Sequence, residues 1–336
     1  MKIVLHKNLN NKFEEIISVD NLLLAWQEFV NGKRNKKDVE IFQFHLMDNI
    51  ILLHNDLKNK NYKHSSYQQF KINDPKPREI HKASVRDRLL HHAIYRILYP
   101  YFDKKFISDS YSCRNNKGTH KALNKFRKYT NIVSKNNTKQ CYILKCDIKK
   151  FFASIDQDIL VNILEKYILD KDIINLLKEI IFSFDKGLPL GNLTSQLFSN
   201  IYLNEFDKFV KHKLKINYYI RYADDFVIFS ENKNYLENLI LEMKEFLQDK
   251  LKLTLHPDKV FIKTLNSGMD FLGWVNFFDH RVLRTKSKRR MIKNIKQNYF
   301  NNQPISSYLG LLKHGNTKKL KKQIFSNEKI LSQDLT

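Results

Sequence analysis

NYYIRYADDFVIFS, residues 217–230, sets β-prone apolar runs on either side of Asp224-Asp225. Tyr, Ile, Phe and Val suit a pleated, half-buried surface, and two such runs split by a short polar break read as a β-hairpin. Taken alone, the acid pair is a polar turn, since Asp is common in turns. A second run, QCYILKCD at 140–147, also reads as a strand and also ends on an acid, Asp147. Strands this apolar belong inside a sheet, where an unpaired carboxylate costs several kcal/mol unless a positive charge neutralises it. If the two strands are neighbours, Asp147 and Asp224 converge, with Asp225 beside them. A set of hard oxygen donors favours Mg²⁺ over zinc, for which Cys or His would be expected.

Outward from these strands the spacing turns helical. Asp156 is placed to cap a helix with Ile159, Leu160, Ile163, Leu164 and Tyr167 on one face, and Ile173, Leu176, Leu177, Ile180 and Ile181 mark the next. After GLPLG a helix is expected over about Thr194–Lys213 and another over Tyr235–Lys250. LKLTL then reads as a strand, GMDFLGWVNFF as a pair of short strands, and the rest as a basic helical tail. Upstream, Leu22, Leu23, Trp26 and Phe29, then Ile41, Phe44, Ile50 and Leu53, space apolar stripes for helices across 20–60. YQQFKINDPKPREIH (67–81) reads as a hairpin, because Pro75 and Pro77 cannot sit inside a helix. A further helix is expected over Ser84–Tyr99. The order strand, helices, hairpin, helix, strand suits an antiparallel sheet with helices on one face, an α+β fold.

Only 8 Gly and 6 Pro punctuate the 336 residues, while 24 Phe and 16 Tyr supply ample core material, so disorder, an all-β sandwich and a Rossmann enzyme are disfavoured. Three cysteines form no CxxC pair and leave an odd thiol, which fits a reducing cytoplasm. No run reaches the ~18 uninterrupted apolar residues of a membrane helix, so a soluble chain without membrane attachment is expected. The net charge of +24 is concentrated: 110–146 and 280–327 carry basic residues and no acid at all. A solvated Lys-rich face is the bland account, yet a compositional bias would not purge acids from two stretches only. Contact with nucleic acid is the reading that charge favours.

Several segments then align with one known family. KPREI, RDRLLHHA, SYSCRNNKGTH, LKCDIKKFFASID, GLPLGNLTSQLFSNIYLNEFD, YIRYADDFVIF, LTLHPDK and FLGW occur in this order, and together they resemble the reverse transcriptases. The resemblance implies a right-hand polymerase: fingers at 1–109, with 155–191 packing there; a palm at 110–154 and 192–279 with a ferredoxin-like antiparallel core; and a helical thumb at 280–336. It implies RNA-directed DNA synthesis with two Mg²⁺ ions, or Mn²⁺ as substitute, on Asp147, Asp224, Asp225 and the backbone carbonyl of Ile148. It places Phe152 as a steric gate against a ribose 2′-OH, a core Phe being the plain alternative. Lys71 and Arg78 would hold the dNTP triphosphate, with Leu190, Gly191 and Gln196 beside the nascent pair. Lys259 matches a proton donor for pyrophosphate, although an idle surface lysine accounts for it equally well. Phe271, Leu272, Gly273 and Trp274 match the primer grip. Arg284, Lys288, Arg289 and Arg290, in the acid-free tail with Tyr299, Phe300, Tyr308 and Leu311, would hold the backbone of an RNA/DNA hybrid.

Many relatives have Gln where this chain has Leu190, and Pro where it has Gln196. The form found here is similar to reverse transcriptases of diversity-generating retroelements within the group II intron-related bacterial lineage. These copy a template-repeat RNA with errors opposite adenine, alongside a small basic helical accessory protein. A bacterial or phage-encoded cytoplasmic enzyme is the expectation. Bacterial anti-phage defence enzymes with a dedicated noncoding RNA share much of the pattern. A catalytically inert RNA-binding scaffold and an RNA-dependent RNA polymerase are the rivals; the intact acids argue against the first and Phe152 against the second.

Overall fold

The computed structural model describes residues 9, 11–73, 77–297 and 302–322. In chain order these form α1 (Phe13–Ile17), α2 (Val19–Phe29), α3 (Lys37–Phe44), α4 (Leu46–Lys58), β1 (Gln68–Ile72), β2 (Arg78–Lys82), α5 (Val85–Asp103), α6 (Thr119–Val133), β3 (Tyr142–Asp147), α7 (Phe151–Ser154), α8 (Gln157–Glu165), α9 (Lys171–Phe182) and α10 (Leu193–Lys208). There follow β4 (Tyr219–Tyr222), β5 (Asp225–Ser230), α11 (Lys233–Leu251), β6 (Phe261–Thr264), β7 (Met269–Phe271), β8 (Trp274–Asn276), β9 (Arg281–Leu283), α12 (Thr285–Gln297) and α13 (Asn302–Leu312). Two compact units share the chain. One comprises 1–114, 148–216 and 242–257, the other 115–147, 217–241 and 258–336. Among the described residues no helix is long and apolar enough to cross a membrane.

The first unit is largely helical. The Ser84 hydroxyl caps α5, and the Asp156 carboxylate caps α8 by accepting from the Ile159 N–H at 2.9 Å. The stripe Ile173, Leu176, Leu177, Ile180 and Ile181 is buried as the spacing predicts. Ile41 and Phe44 are not core, however: they stand 62% and 84% exposed, and Val39 is the buried residue of α3. The helix expected over 194–213 runs as α10 to Lys208 and then widens into a π-helical turn, Phe209–Lys213. β1 and β2 pair antiparallel as an isolated ribbon, Lys71 opposite Glu79 and Ile72 opposite Arg78.

The second unit holds a four-stranded antiparallel sheet in the order β4-β5-β3-β6, the βαββαβ arrangement of a ferredoxin-like core. Its fourth strand is FIKT, not LKLTL as expected. After α11 the chain enters a left-handed residue, Lys252 (φ 48), and the Leu253 N–H returns to the Leu247 carbonyl, so these residues close the helix instead of extending a strand. Only an isolated bridge between Leu255 and Ile148 remains. α6 packs on the sheet through Phe126 against Phe229, ring centroids 4.9 Å apart, and Tyr129 against Tyr218. The two short strands expected around FLGW gain a third, β9, in a β7-β8-β9 meander, and the helical tail starts only at Thr285. Pro75, Tyr299 and Phe300 lie outside the described residues.

Candidate active site

The register of the four-stranded sheet decides which acids meet. Asp147 at the end of β3 lies directly opposite Asp225 at the start of β5, and Tyr222 of β4 faces Asp225 from the other side. Paired residues share a face, so Asp147 and Asp225 project together while Cys146 and Phe226 point into the core. Asp224 is one residue away, in the two-residue turn Ala223–Asp224. Asp225, rather than Asp224, is thus the strand partner of Asp147. Ala223 adopts a left-handed conformation (φ 55), uncommon for a residue with a Cβ, and its carbonyl accepts from the guanidinium of Arg221 at 3.1 Å. Arg221 is completely buried in β4, so the turn is braced from within.

Two lysines lie against the acids. Lys259, in the 3₁₀ turn Pro257–Lys259, donates to Asp147 Oδ1 at 3.0 Å. Lys145 lies two residues before Asp147 on the same face of β3, with its Nζ 3.4 Å from Asp225 Oδ2, and donates to the Asp270 carbonyl at 2.8 Å. Burial nevertheless pushes the Asp225 carboxyl up to about 7; Lys145 opposes this, and the charges of Asp147 and Asp224 add to it. Asp225 Oδ1 is buried with no hydrogen-bond partner. An orphaned acceptor among carboxylates that repel one another is a donor set short of positive charge, and hard oxygens suit a hard divalent cation. Among the described residues, no three acidic, imidazole or thiol side chains already close to ion-holding distance.

The remaining candidates are spread over several elements of both units. Lys71 and Arg78 are exposed on the β1–β2 ribbon, and the pairing puts them on alternate faces. Phe152, in α7, is partly exposed, its ring 5.4 Å from that of Phe151, and the Ile148 backbone is bridged to Leu255. The GLPLG loop ties α7 to the ribbon within the first unit: the Leu188 N–H donates to the Phe152 carbonyl at 2.8 Å and the His81 N–H to the Leu190 carbonyl at 3.1 Å. A Cβ on Gly187 (φ 72) would stand 2.3 Å from the Phe152 carbonyl oxygen, and one on Gly191 (φ 112) 2.9 Å from the Ile80 side chain. Gln196 is partly exposed on the first turn of α10. Phe271 and Trp274 are core residues, and only Leu272 and Gly273, both at positive φ, form the turn between them. Arg284 is engaged with Asp270 at 3.0 Å, while Lys288, Arg289 and Arg290 are exposed on α12.

Three residues that the sequence reading passed over do much of the positioning. Lys145 and Arg221 are charged residues inside otherwise apolar strands, a signal as plain as that of the acids. Gln157 offers no such signal: its Nε2 reaches the carbonyls of Ile181, Phe184 and Gly187, at 3.0, 2.6 and 3.0 Å, and so holds the approach to the GLPLG loop.

A ferredoxin-like sheet presenting paired acids, with helical surroundings, defines a right-hand polymerase of α+β class. In keeping with this, telomerase from Candida tropicalis, solved with a fragment of telomeric RNA, superimposes with a TM-score of 0.51 at 15% identity, over 75% of this chain and 52% of that one. The family described as Reverse transcriptase (RNA-dependent DNA polymerase) matches residues 63–276, and the chain belongs to it. It is similar to protein YkfC of Escherichia coli, 25% identical over 259 residues, covering 64% of this chain and 66% of that one. It is also similar to the group II intron-encoded protein LtrA of Lactococcus lactis, 24% identical over 66% of this chain and 47% of that protein. The Retron Ec73 reverse transcriptase of Escherichia coli is 34% identical over 126 residues, 34% of this chain and 40% of that one. The chain spans just under two thirds, about half and two fifths of the length of these relatives.

Proposed function

We propose that this chain is an RNA-directed DNA polymerase that extends a primer on an RNA template with dNTPs. The observation that carries this reading is the cross-strand pairing of Asp147 with Asp225 beside the Asp224 turn. Asp147, Asp224, Asp225 and the Ile148 carbonyl would hold divalent cations, Mg²⁺ or Mn²⁺, which when bound would lower the barrier to in-line attack by a primer 3′-OH. The chain's own groups do the rest. Lys259, already on Asp147, would donate a proton toward departing pyrophosphate. Lys71 and Arg78 attract the triphosphate by charge, and Phe152 excludes a 2′-OH. Leu272–Gly273 offers main chain to the primer. In this reading 1–109 and 155–191 serve as fingers, 110–154 and 192–279 as palm, and 280–336 as a thumb whose Arg284, Lys288, Arg289 and Arg290 track the hybrid backbone. Primer extension on RNA with dNTPs against rNTPs tests it: wild type should extend with dNTPs and Asp225→Asn should not, whereas extension by neither protein would support the inert scaffold.

Within that activity, the aliphatic Leu190 and the SQ ending of GLPLGNLTSQ support a mutagenic retroelement enzyme, one assisted by a small basic helical protein. Losing an amide near the nascent pair weakens geometric checking there. Leu190→Gln should lower misincorporation opposite adenine, and an unchanged error spectrum removes the role. A second reading is a bacterial anti-phage defence reverse transcriptase with a dedicated noncoding RNA; the 34% identity over 126 residues to the Retron Ec73 reverse transcriptase supports the activity that both readings share. A neighbouring pair of near-identical repeats differing at adenines would decide for the first.

A further inference from the structure

The β7-β8-β9 meander has two ends. Leu272–Gly273 turns at one; at the other, where β8 passes to β9, a cavity of about 470 Å³ opens, containing none of the acids or lysines of the candidate active site. Arg127 of α6, Arg281 of β9 and Lys313 line it, with Phe277 and His280. One wall exists because of a glycine: Gly315 lies so close to the Trp274 indole that a Cβ would come within 2.1 Å of a ring carbon. His314 stacks on His120 with ring centroids 3.6 Å apart.

The charge in this cavity is unbalanced. Among the described residues no carboxylate lies within 4.0 Å of the side-chain nitrogens of Arg127, Arg281 or Lys313. The one acid in the wall, Asp279, is taken by His280 at 2.6 Å. Arg281 spends its hydrogen bonds on neutral acceptors, the His314 carbonyl and Asn124 Oδ1. Burial and the neighbouring charge of Arg127 both lower its pKa, as expected where like charges share a concave site. At the rim the Phe277 and His280 rings lie parallel, centroids 4.8 Å apart at 15°. The space exceeds what a bare phosphate fills and matches a small-molecule site.

We propose that this cavity binds one nucleotide unit of a single-stranded nucleic acid, its phosphate held by Arg127, Arg281 and Lys313 and its base laid on the Phe277–His280 pair. Cations beside a partly exposed aromatic pair are the general means of holding unpaired nucleotides. The strand could be RNA or DNA, with shared phosphate and base chemistry, and the experiment separates them. The proposal requires a strand at this site, not catalysis.

Photo-crosslinking of the full chain with a short 4-thiouridine oligoribonucleotide, or its 4-thiothymidine counterpart, is mapped by mass spectrometry. The expected adduct is on the peptide bearing Phe277 and His280. Arg127→Gln with Lys313→Gln, both exposed in the structure, should cut its yield at least fivefold while other adducts persist; Phe277→Leu is the second variant should that pair melt early. The stronger of the ribo and deoxy arms identifies the strand. No adduct there, or a yield untouched by these variants, overturns the proposal. So does erasure of the adduct by inorganic phosphate as effectively as by UMP, which would make it a simple anion site, or by polyglutamate better than by RNA, which would point to an acidic protein. Primer extension by the same preparations reads the polymerase separately, so either reading can fail alone.

Discussion

Asp225 meets three charges, Lys145, Asp147 and Asp224, in a strand flanked on both sides, and its carboxyl is pushed up to about 7, chiefly by burial. A folded pKa above the unfolded one means that folding favours the protonated form. The stability this group contributes is therefore full below about pH 4 and lost as pH rises to about 7. In metal-free buffer, melting temperatures of wild type relative to Asp225→Asn should fall across that window, and parallel curves would contradict the assignment. Lys145→Met should raise the same pKa further and move the pH profile of primer extension upward. Asp147→Asn and Asp225→Asn should each lower the extension rate by at least about a hundredfold, with Asp225→Asn melting no lower than wild type near pH 7, since charge stabilisation at the reacting centre is usually the largest single effect. Lys259→Ala should reduce extension less, leaving dNTP affinity nearly unchanged, if its part is proton donation.

At the scale of elements, the GLPLG loop matters because it links α7, which carries Phe152, to the β1–β2 ribbon that carries Lys71 and Arg78. Gly187→Ala would push a methyl into the Phe152 carbonyl and strain a left-handed backbone, a destabilisation of about 2–4 kcal/mol from the two effects together. It should also loosen discrimination between dNTP and rNTP; chemical denaturation and paired incorporation rates read the two. α5 carries a different liability. His91 is fully buried with no partner for either ring nitrogen, and burial lowers its pKa to about 3. Its folded form resists a proton that the unfolded chain accepts below about 6.5, so stability falls as pH drops below that value. His91→Leu should flatten acid unfolding, and an unchanged acid limb would show that other groups dominate it.

At the scale of the molecule, the unit that holds the acids also holds most of the charge: of the net +24, it carries 26 Lys and Arg against 10 Asp and Glu. Replacing Lys288, Arg289 and Arg290 with Gln should weaken template–primer binding alike for all sequences, and lower its salt slope by roughly 0.9 for each phosphate no longer neutralised. Binding measured across salt concentrations would show an unchanged slope if α12 does not touch the backbone. The acid-free stretches were visible in the chain as text, because charge needs no fold to be counted. The apolar helix faces were equally visible. Ile41 and Phe44 misled because an apolar residue at helical spacing says nothing about which of several faces the neighbouring helices cover.

What the sequence by itself determined is local: strand and helix periodicity, the cap at Asp156, the proline-bounded hairpin at 67–81, and the ordered segments that carry the family likeness. These depend on residues a few positions apart, so the chain states them directly. Only the tertiary structure decided that Asp147 faces Asp225 rather than Asp224, that FIKT rather than LKLTL closes the sheet, and that Lys145, Lys259 and Arg221 serve the acids. Strand register is set by pairing between segments some eighty residues apart, and a one-residue slip would send every side chain to the opposite face.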